Sequence, residues 1–193
     1  MNMNRIVPGW AVTLTLSASL AAQCQLAGAT EFAYPGAAGD VLAMTRWDPD
    51  GSGPEVERLV IAGNFGIAGI LANRVASYEP ATGLWRDLGI GLSPTATVNA
   101  LVVVPSPTTP GRFDLIAGGA LNPGSVARWN GINWSTIGTG VGGAVYALAW
   151  DGTTLFAGGT FPTAGSAVMS ATNLIAGPWS PVGNLVGTTT YAL

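Results

Sequence analysis

Three stretches of the chain close on the same pattern: Trp85-Arg86-Asp87-Leu88-Gly89, Trp134-Ser135-Thr136-Ile137-Gly138 and Trp179-Ser180-Pro181-Val182-Gly183. In each, glycine follows tryptophan at the fourth position; Trp134 lies 49 residues after Trp85, and Trp179 lies 45 after Trp134. Self-similarity at such a period marks stacked supersecondary units. Working outward, each repeat opens on a short apolar run: Val41-Leu42-Ala43-Met44, Val98-Asn99-Ala100-Leu101 and Val145-Tyr146-Ala147-Leu148. A second, continuous apolar run ends in glycine: Arg58 to Gly63, Asp114 to Gly119, Thr154 to Gly159. Such runs read as strands with both faces covered. Their closing glycines admit a close backbone neighbour or a bulge. A third element reads Val75-Ala76-Ser77-Tyr78, Val126-Ala127-Arg128-Trp129 and, more loosely, Ser170-Ala171-Thr172-Asn173.

Four short strands in about 45 residues make the blade of a β-propeller, so the expected fold is all-β. The blades are expected over 41–92, 97–141 and 145–187, within a domain of 30–193. A blade is apolar on both faces and buries itself only against its neighbours. The tryptophans are expected to fill the seams, each N–H reaching a carbonyl. The repeat positions taken as structural are Gly63, Trp85, Gly89, Gly118, Gly119, Trp134, Gly138, Gly158, Gly159, Trp179 and Gly183. Thr190-Tyr191-Ala192-Leu193 aligns with Val145 to Leu148 and opens a fourth repeat at 188–193. Phe32-Ala33-Tyr34-Pro35-Gly36 keeps the aromatic-x₃-Gly spacing of a worn fourth strand. The expectation is a partial β-propeller, about three four-stranded blades plus an orphan strand at each end. Closed rings take about 4–8 blades. The mid-repeat ending favours a segment of a longer chain. If three blades are the whole, chains assemble or the orphan strands pair. A β-solenoid is the alternative fold, but its coils repeat at shorter periods, and loops such as 49–57 and 105–112 suit blades better.

Gly118-Gly119, followed by an aromatic and then Trp, is similar to the Kelch repeat of galactose-oxidase-type propellers. Val75-Ala76-Ser77-Tyr78-Glu79-Pro80-Ala81-Thr82-Gly83-Leu84-Trp85 resembles the Kelch Tyr-Asp-Pro-x-Thr-x-x-Trp segment. Gly158-Gly159-Thr160-Phe161, with Ala164-Gly165 after it, resembles repeats of exported bacterial propellers and fungal cell-surface cortical-marker proteins. The likeness covers about residues 41–187. It departs at Gly63-Asn64, where Gly-Gly is expected, and at Asn173, where an aromatic is expected. The resemblance implies a propeller. The copper site of the oxidase members uses His and Tyr, and this chain has no His.

Of the 193 residues 9% are charged, the formal net charge is −3, and all seven cationic side chains are Arg. Disorder is excluded by the apolar content. A nucleic-acid partner is not expected, because phosphate binding needs a basic footprint. Residues 1–29 read as a signal peptide: Arg5, an uncharged run from Ile6 to Ala22, and the small-x-small site Ala27-Gly28-Ala29. Export to the cell surface or medium follows, with no membrane span after cleavage. The rival reading, an uncleaved anchor, has an apolar run short of about 20 residues. A lipid on Cys24 is disfavoured by Gln23 before it. With Cys24 removed the mature chain has no Cys, so packing rather than disulfides must hold it.

Asp48-Pro49-Asp50-Gly51-Ser52-Gly53 resembles the start of a Ca²⁺ loop, with Asp48, Asp50 and Ser52 as candidate ligands. The twelfth position, however, is Leu59 rather than Glu, so the preferred reading is a hairpin turn between first and second strands and no metal is expected. The Gly-Gly pairs lack phosphate-loop spacing. Among the other tryptophans, Trp47 and Trp150 are the surface candidates for stacking a sugar. Asn133-Trp134-Ser135 matches a glycan acceptor but sits inside the repeat. Without His there is no imidazole base or ligand, and no acid pair for glycosidase chemistry is visible. No cofactor is expected. The expected function is a binding or cell-surface interaction module taking a protein or glycan ligand. The alternatives are part of a secreted propeller lyase, glycosidase or oxidase with its active site elsewhere, and a structural envelope repeat.

Overall fold

Short apolar runs punctuated by Gly, Pro, Asn and Asp turns favour strands. In the computed structural model every regular element among the described residues is a strand. Those residues are 37–67, 70–122, 124–162, 166–183 and 189–193. The first sheet is β1 (Ala37–Trp47), β2 (Arg58–Ile67), β3 (Val75–Glu79) and β4 (Leu84–Arg86). The second is β5 (Thr97–Pro105), β6 (Phe113–Ala120), β7 (Val126–Trp129) and β8 (Trp134–Thr136). The third is β9 (Ala144–Trp150), β10 (Leu155–Thr160), β11 (Val168–Ala171) and β12 (Ser180–Pro181). Each is an antiparallel meander of four strands in chain order. The signal segment 1–29 with Cys24, the stretch Phe32–Gly36, Ala164-Gly165 and 184–188 lie outside the described residues.

One irregularity recurs in all three sheets. The pairing of first and second strands shifts between Val41 and Ala43, between Val98 and Ala100, and opposite Gly158/Gly159, where Val145 and Ala147 are paired. The extra residue is Leu42, Asn99 or Tyr146. A β-bulge of this kind seats two residues opposite one and turns the strand. The opposing glycines explain the repeat spelling. A Cβ on Gly63, Gly119 or Gly159 would run into the carbonyl oxygen of Asp40, Thr97 or Ala144. The pair equivalent to Gly118-Gly119 is therefore Ala62-Gly63, not the Gly63-Asn64 expected from sequence.

Apolar side chains of adjacent sheets meet in two clusters. Trp47, Val60, Ala62, Val75 and Leu88 of the first repeat meet Val98, Leu115, Ala117 and Trp129 of the second. Val104, Ile116, Val126 and Ile137 of the second meet Val145, Leu155, Ala157, Phe161 and Met169 of the third. Leu115, Ile116 and Leu155 are fully buried, each contributing about 1.5–3 kcal/mol. The continuous apolar pattern of β6 thus has its cause: neighbours on both faces.

Two expectations are corrected. The third strand of the last repeat is Val168–Ala171, two residues earlier than read, because Val168 pairs with Gly158 as Val126 pairs with Gly118. Ala171, not Asn173, stands opposite Leu155 in the place of Trp129 opposite Leu115. Residues 189–193 carry no strand, while Thr190 and Leu193 lie on Gly158 as Val145 and Leu148 lie on Gly118.

Candidate functional site

The Trp-x₃-Gly spelling builds the seams. Trp134 Nε1 donates to the Leu88 carbonyl at 3.0 Å, and Trp179 Nε1 donates to the Ile137 carbonyl at 3.0 Å. Each indole of one repeat thus reaches the residue before the closing glycine of the repeat ahead of it. The glycines Gly89, Gly138 and Gly183 have φ of 65°, 59° and 70°, a left-handed turn that side chains disfavour. A Cβ on Gly89 would lie 3.0 Å from the Trp129 ring, and one on Gly138 would lie 2.8 Å from the Ala176 oxygen. Gly118 faces the following sheet, where its Cβ would meet Val145 at 2.6 Å. Gly158 faces Thr190 and Leu193 in the same way, at 2.8 and 3.2 Å. Opposite the Gly118-Gly119 pair, Asn99 Nδ2, on the bulge, donates to the Val145 carbonyl at 2.7 Å. The third periodic indole differs: Trp85 Nε1 is buried and has no partner among the described residues.

Two adjoining clefts open beside the first seam. One, of about 350 Å³, is lined by Gly89, Ile90, Gly91, Trp129, Ile132 and Trp134, with Asn133. The other, of about 390 Å³, shares Gly91 and Trp134 and adds Leu92, Ser93, Leu121 and Asn122 among others. Ile90 is 90% exposed and Ile132 82%. Among the described residues their lining holds no Asp, Glu, Arg or Tyr. The rings of Trp129 and Trp134 stand 5.6 Å apart, tilted by 41°. The tip carrying Ile132 is held by Asn130, whose Oδ1 accepts from the N–H of Ile132 and of Asn133, both at 2.9 Å. Asn173 fixes the tip of Ile175 in the same way. An aromatic wall with apolar rims and backbone polar groups suits an apolar side chain or a sugar face. It supplies no proton donor or acceptor that titrates near neutrality. Sequence reading missed Ile90 and Ile132; the available signal was a branched apolar residue inside a Gly/Asn turn, Asn130-Gly131-Ile132-Asn133.

Trp47 is not a surface residue. It is 3% exposed, its N–H donates to the Phe113 carbonyl at 2.9 Å, and Arg58 lies over its ring at 5.8 Å. Trp150 is half-buried against the second core cluster. The Asp48–Gly53 loop spends its carboxylates on backbone N–H groups: Asp48 Oδ1 accepts from Asp50 at 3.3 Å and Asp50 Oδ2 from Glu55 at 3.2 Å. Ser52 is exposed. Among the described residues no group of three or more His, Cys, Asp or Glu converges on a metal position.

Charge is largely paired. Arg46 binds Glu57, Arg112 and Arg58 bind Glu55, and Arg86 binds Glu79 at 2.7 Å. The Arg86 hydrogen bond, against some desolvation, holds the Glu79 carboxyl below its ordinary value. Asp151 is likewise lowered, by the backbone N–H groups of Thr153 and Thr154. Arg128 and Asp114, 5% and 2% exposed, meet at 2.6 Å inside the second sheet, and Arg128 also donates to Thr108 at 3.0 Å. Comparison with known proteins found no family model, no curated protein and no solved structure that matches this chain.

Proposed function

We propose that the chain is an exported, Kelch-like β-propeller segment serving as a binding or cell-surface interaction module, with a protein or glycan as its ligand. Three meanders of one strand order, one bulge position and one indole–carbonyl seam support the propeller reading. The observation that carries the binding reading is the aromatic cleft rimmed by Ile90 and Ile132. A single exposed apolar residue needs no explanation, whereas two on the rim of one tryptophan-lined cleft mark a recognition surface. Five of the six described arginines are paired with carboxylates. That leaves little basic surface for a polyanion. Among the described residues no helix is long and apolar enough to cross a membrane. Neither a cofactor nor a metal enters this reading.

A glycan and peptide array probed with the full chain tests it. The double variant Ile90→Ser/Ile132→Ser is expected to weaken binding by at least about tenfold, since burial of each isoleucine contributes about 1.5–3 kcal/mol. Its melting temperature should stay that of the parent, because both side chains are solvent-exposed. Binding that ignores the double variant overturns the assignment of the cleft. Export is tested separately by sequencing the N-terminus of the secreted chain, expected to begin at Thr30.

A further inference from the structure

Three turns of the chain are capped in one way. Asn130 Oδ1 accepts the N–H of Ile132 and of Asn133, each at 2.9 Å. Asn173 Oδ1 accepts the N–H of Ile175 and of Ala176, again at 2.9 Å. Asp151 Oδ1 accepts the N–H of Thr153 and of Thr154 at 2.8 and 2.7 Å. Such a turn folds the side-chain carbonyl back over its own backbone and fills both lone pairs of the oxygen with N–H donors. The capping residues are followed by Gly131, Leu174 and Gly152.

A side-chain carbonyl held in this way lies close to the next backbone nitrogen. Attack by that nitrogen would throw negative charge onto Oδ1, where two N–H groups already point, and fixed donors at a developing oxyanion lower a barrier. Holding the two reacting groups in one turn also removes the entropy of bringing them together. Only at Asn130 are the other requirements met. Asn130 and Gly131 are both exposed. Gly131 has φ of 92°, and the nearest atom to its Cβ position, Arg112 Nη2, is 3.8 Å away. Its nitrogen is unshielded, and a residue without a side chain is free to turn toward the amide. At Asn173 the next residue is Leu174, 5% exposed and packed in the core between the second and third repeats, so the backbone is fixed and the nitrogen covered. At Asp151 the group is a carboxylate rather than an amide, kept ionised by its backbone N–H bonds, and an ionised carboxylate resists nucleophiles.

We propose that the folded chain modifies itself at Asn130-Gly131. The Gly131 nitrogen loses its proton to solvent and bonds to Asn130 Cγ. The Cγ–Nδ2 bond breaks, and the amide nitrogen takes up a proton and leaves as ammonia. The product is a cyclic imide joining the two residues. Water then adds to either ring carbonyl and opens the ring. One opening leaves an aspartate at position 130; the other leaves its isomer, in which the main chain runs through the side-chain carbon. The net change is water in and ammonia out, with no oxidant or cofactor. Either product sets a carboxylate at the foot of the tip that carries Ile132, beside a cleft whose described lining is uncharged. The isomer also adds a methylene to the main chain and so breaks the cap that aims Ile132. Loss of cleft affinity as the chain ages rests on the binding reading above; the modification itself does not.

Peptide mapping by mass spectrometry, on the full chain incubated folded at mildly alkaline pH, tests the proposal. Conversion at Asn130 is expected to exceed that at Asn173 by at least about tenfold, for which a barrier difference of about 1.4 kcal/mol suffices. It should rise with pH, because the attacking nitrogen must lose its proton, and it should yield both the aspartate and its isomer. No conversion at Asn130 in the folded chain overturns the proposal. So does equal conversion at Asn130 and Asn173, since the following residue would then not matter. Aspartate without its isomer also overturns it, because direct hydrolysis would then replace the ring. The glycan and peptide array, repeated with the aged chain, reads the consequence. Wild-type binding should decline with the extent of conversion. Whatever affinity Asn130→Ser starts with should hold through the same incubation, because it has no amide to lose. Conversion with undiminished binding upholds the modification and separates it from the cleft.

Discussion

The two internal seams and the two outer faces use the same parts with different outcomes. Between repeats, the residue before the turn glycine is buried, as Leu88 and Ile137 are; at the outer edge Val182, in the same role, is exposed. Trp134 and Trp179 give their N–H to a carbonyl, while the buried Trp85 N–H has no partner among the described residues. The sequence spelling is thus a spelling of contacts, and what it does at a given place depends on which neighbour is there. Among the described residues the deeply buried ion pair, Asp114 with Arg128, lies in the second repeat; the matching positions hold Arg58 and Ser77 in the first repeat and Thr154 and Ser170 in the third. Both side chains are desolvated there, so Asp114 and Arg128 must satisfy each other, with Thr108 accepting a further Arg128 N–H.

Removing one partner of that pair gives the largest expected effect on this contrast. Arg128→Met leaves Asp114 buried and alone, and should cost about 3–5 kcal/mol, read by urea unfolding at neutral pH. Arg46→Met, which breaks a pair whose arginine is 79% exposed, should cost no more than about 1 kcal/mol. Next comes the glycine seat. Gly118→Ala drives a methyl into Val145 of a fixed sheet and should cost about 1–3 kcal/mol. Gly158→Ala meets only the tail, which can step aside, and should cost less; equal losses would mean that Thr190 and Leu193 are as firmly seated as β9. The indoles follow. Trp134→Phe and Trp179→Phe each lose a hydrogen bond and should destabilise by about 0.5–1.5 kcal/mol through that loss alone. Trp85→Phe loses none, so thermal melts that rank all three alike would show that Trp85 has a partner.

Smallest is the acid response of the first sheet. Arg86 lowers the Glu79 pKa in the folded chain. A depressed carboxylate contributes stability above its unfolded pKa and loses it as pH falls through the folded value. Stability should therefore drop on acidification below about pH 4.5, the ordinary value for this carboxyl. In Arg86→Gln that drop should shrink, measured as the difference between the two denaturation curves from pH 6 to 3.

Much of this was legible in the chain, for reasons that sort by range. First and second strands were readable because apolar runs ending in glycine are local signals, and the structure adds only that the glycine answers a bulge. The seams were readable as tryptophan packing, because the period of Trp-x₃-Gly follows the repeat; the carbonyl partner was foreseen in kind but not by position. The third strand of the last repeat was misplaced because Val168-Met169-Ser170-Ala171 carries no aromatic to anchor the alignment. Trp47 looked exposed because it follows a short run near a polar loop. Its burial comes from Phe113, 66 residues away, a contact no local pattern encodes. The fourth strands span only two or three residues, too few to show a period. The cleft between Ile90 and Ile132 is assembled from two repeats and has no linear signature.

The left-handed glycine and the indole that answers it sit at fixed places in every repeat, one facing forward and one facing back. Duplication of a whole repeat therefore copies a plug together with its socket. The chain can gain or lose such a module without inventing any new chemistry at the joint, since stability in repeat proteins is carried by neighbour-to-neighbour interfaces. Changes of length in whole multiples of the repeat should be tolerated where a change of a few residues, which shifts plug against socket, is not.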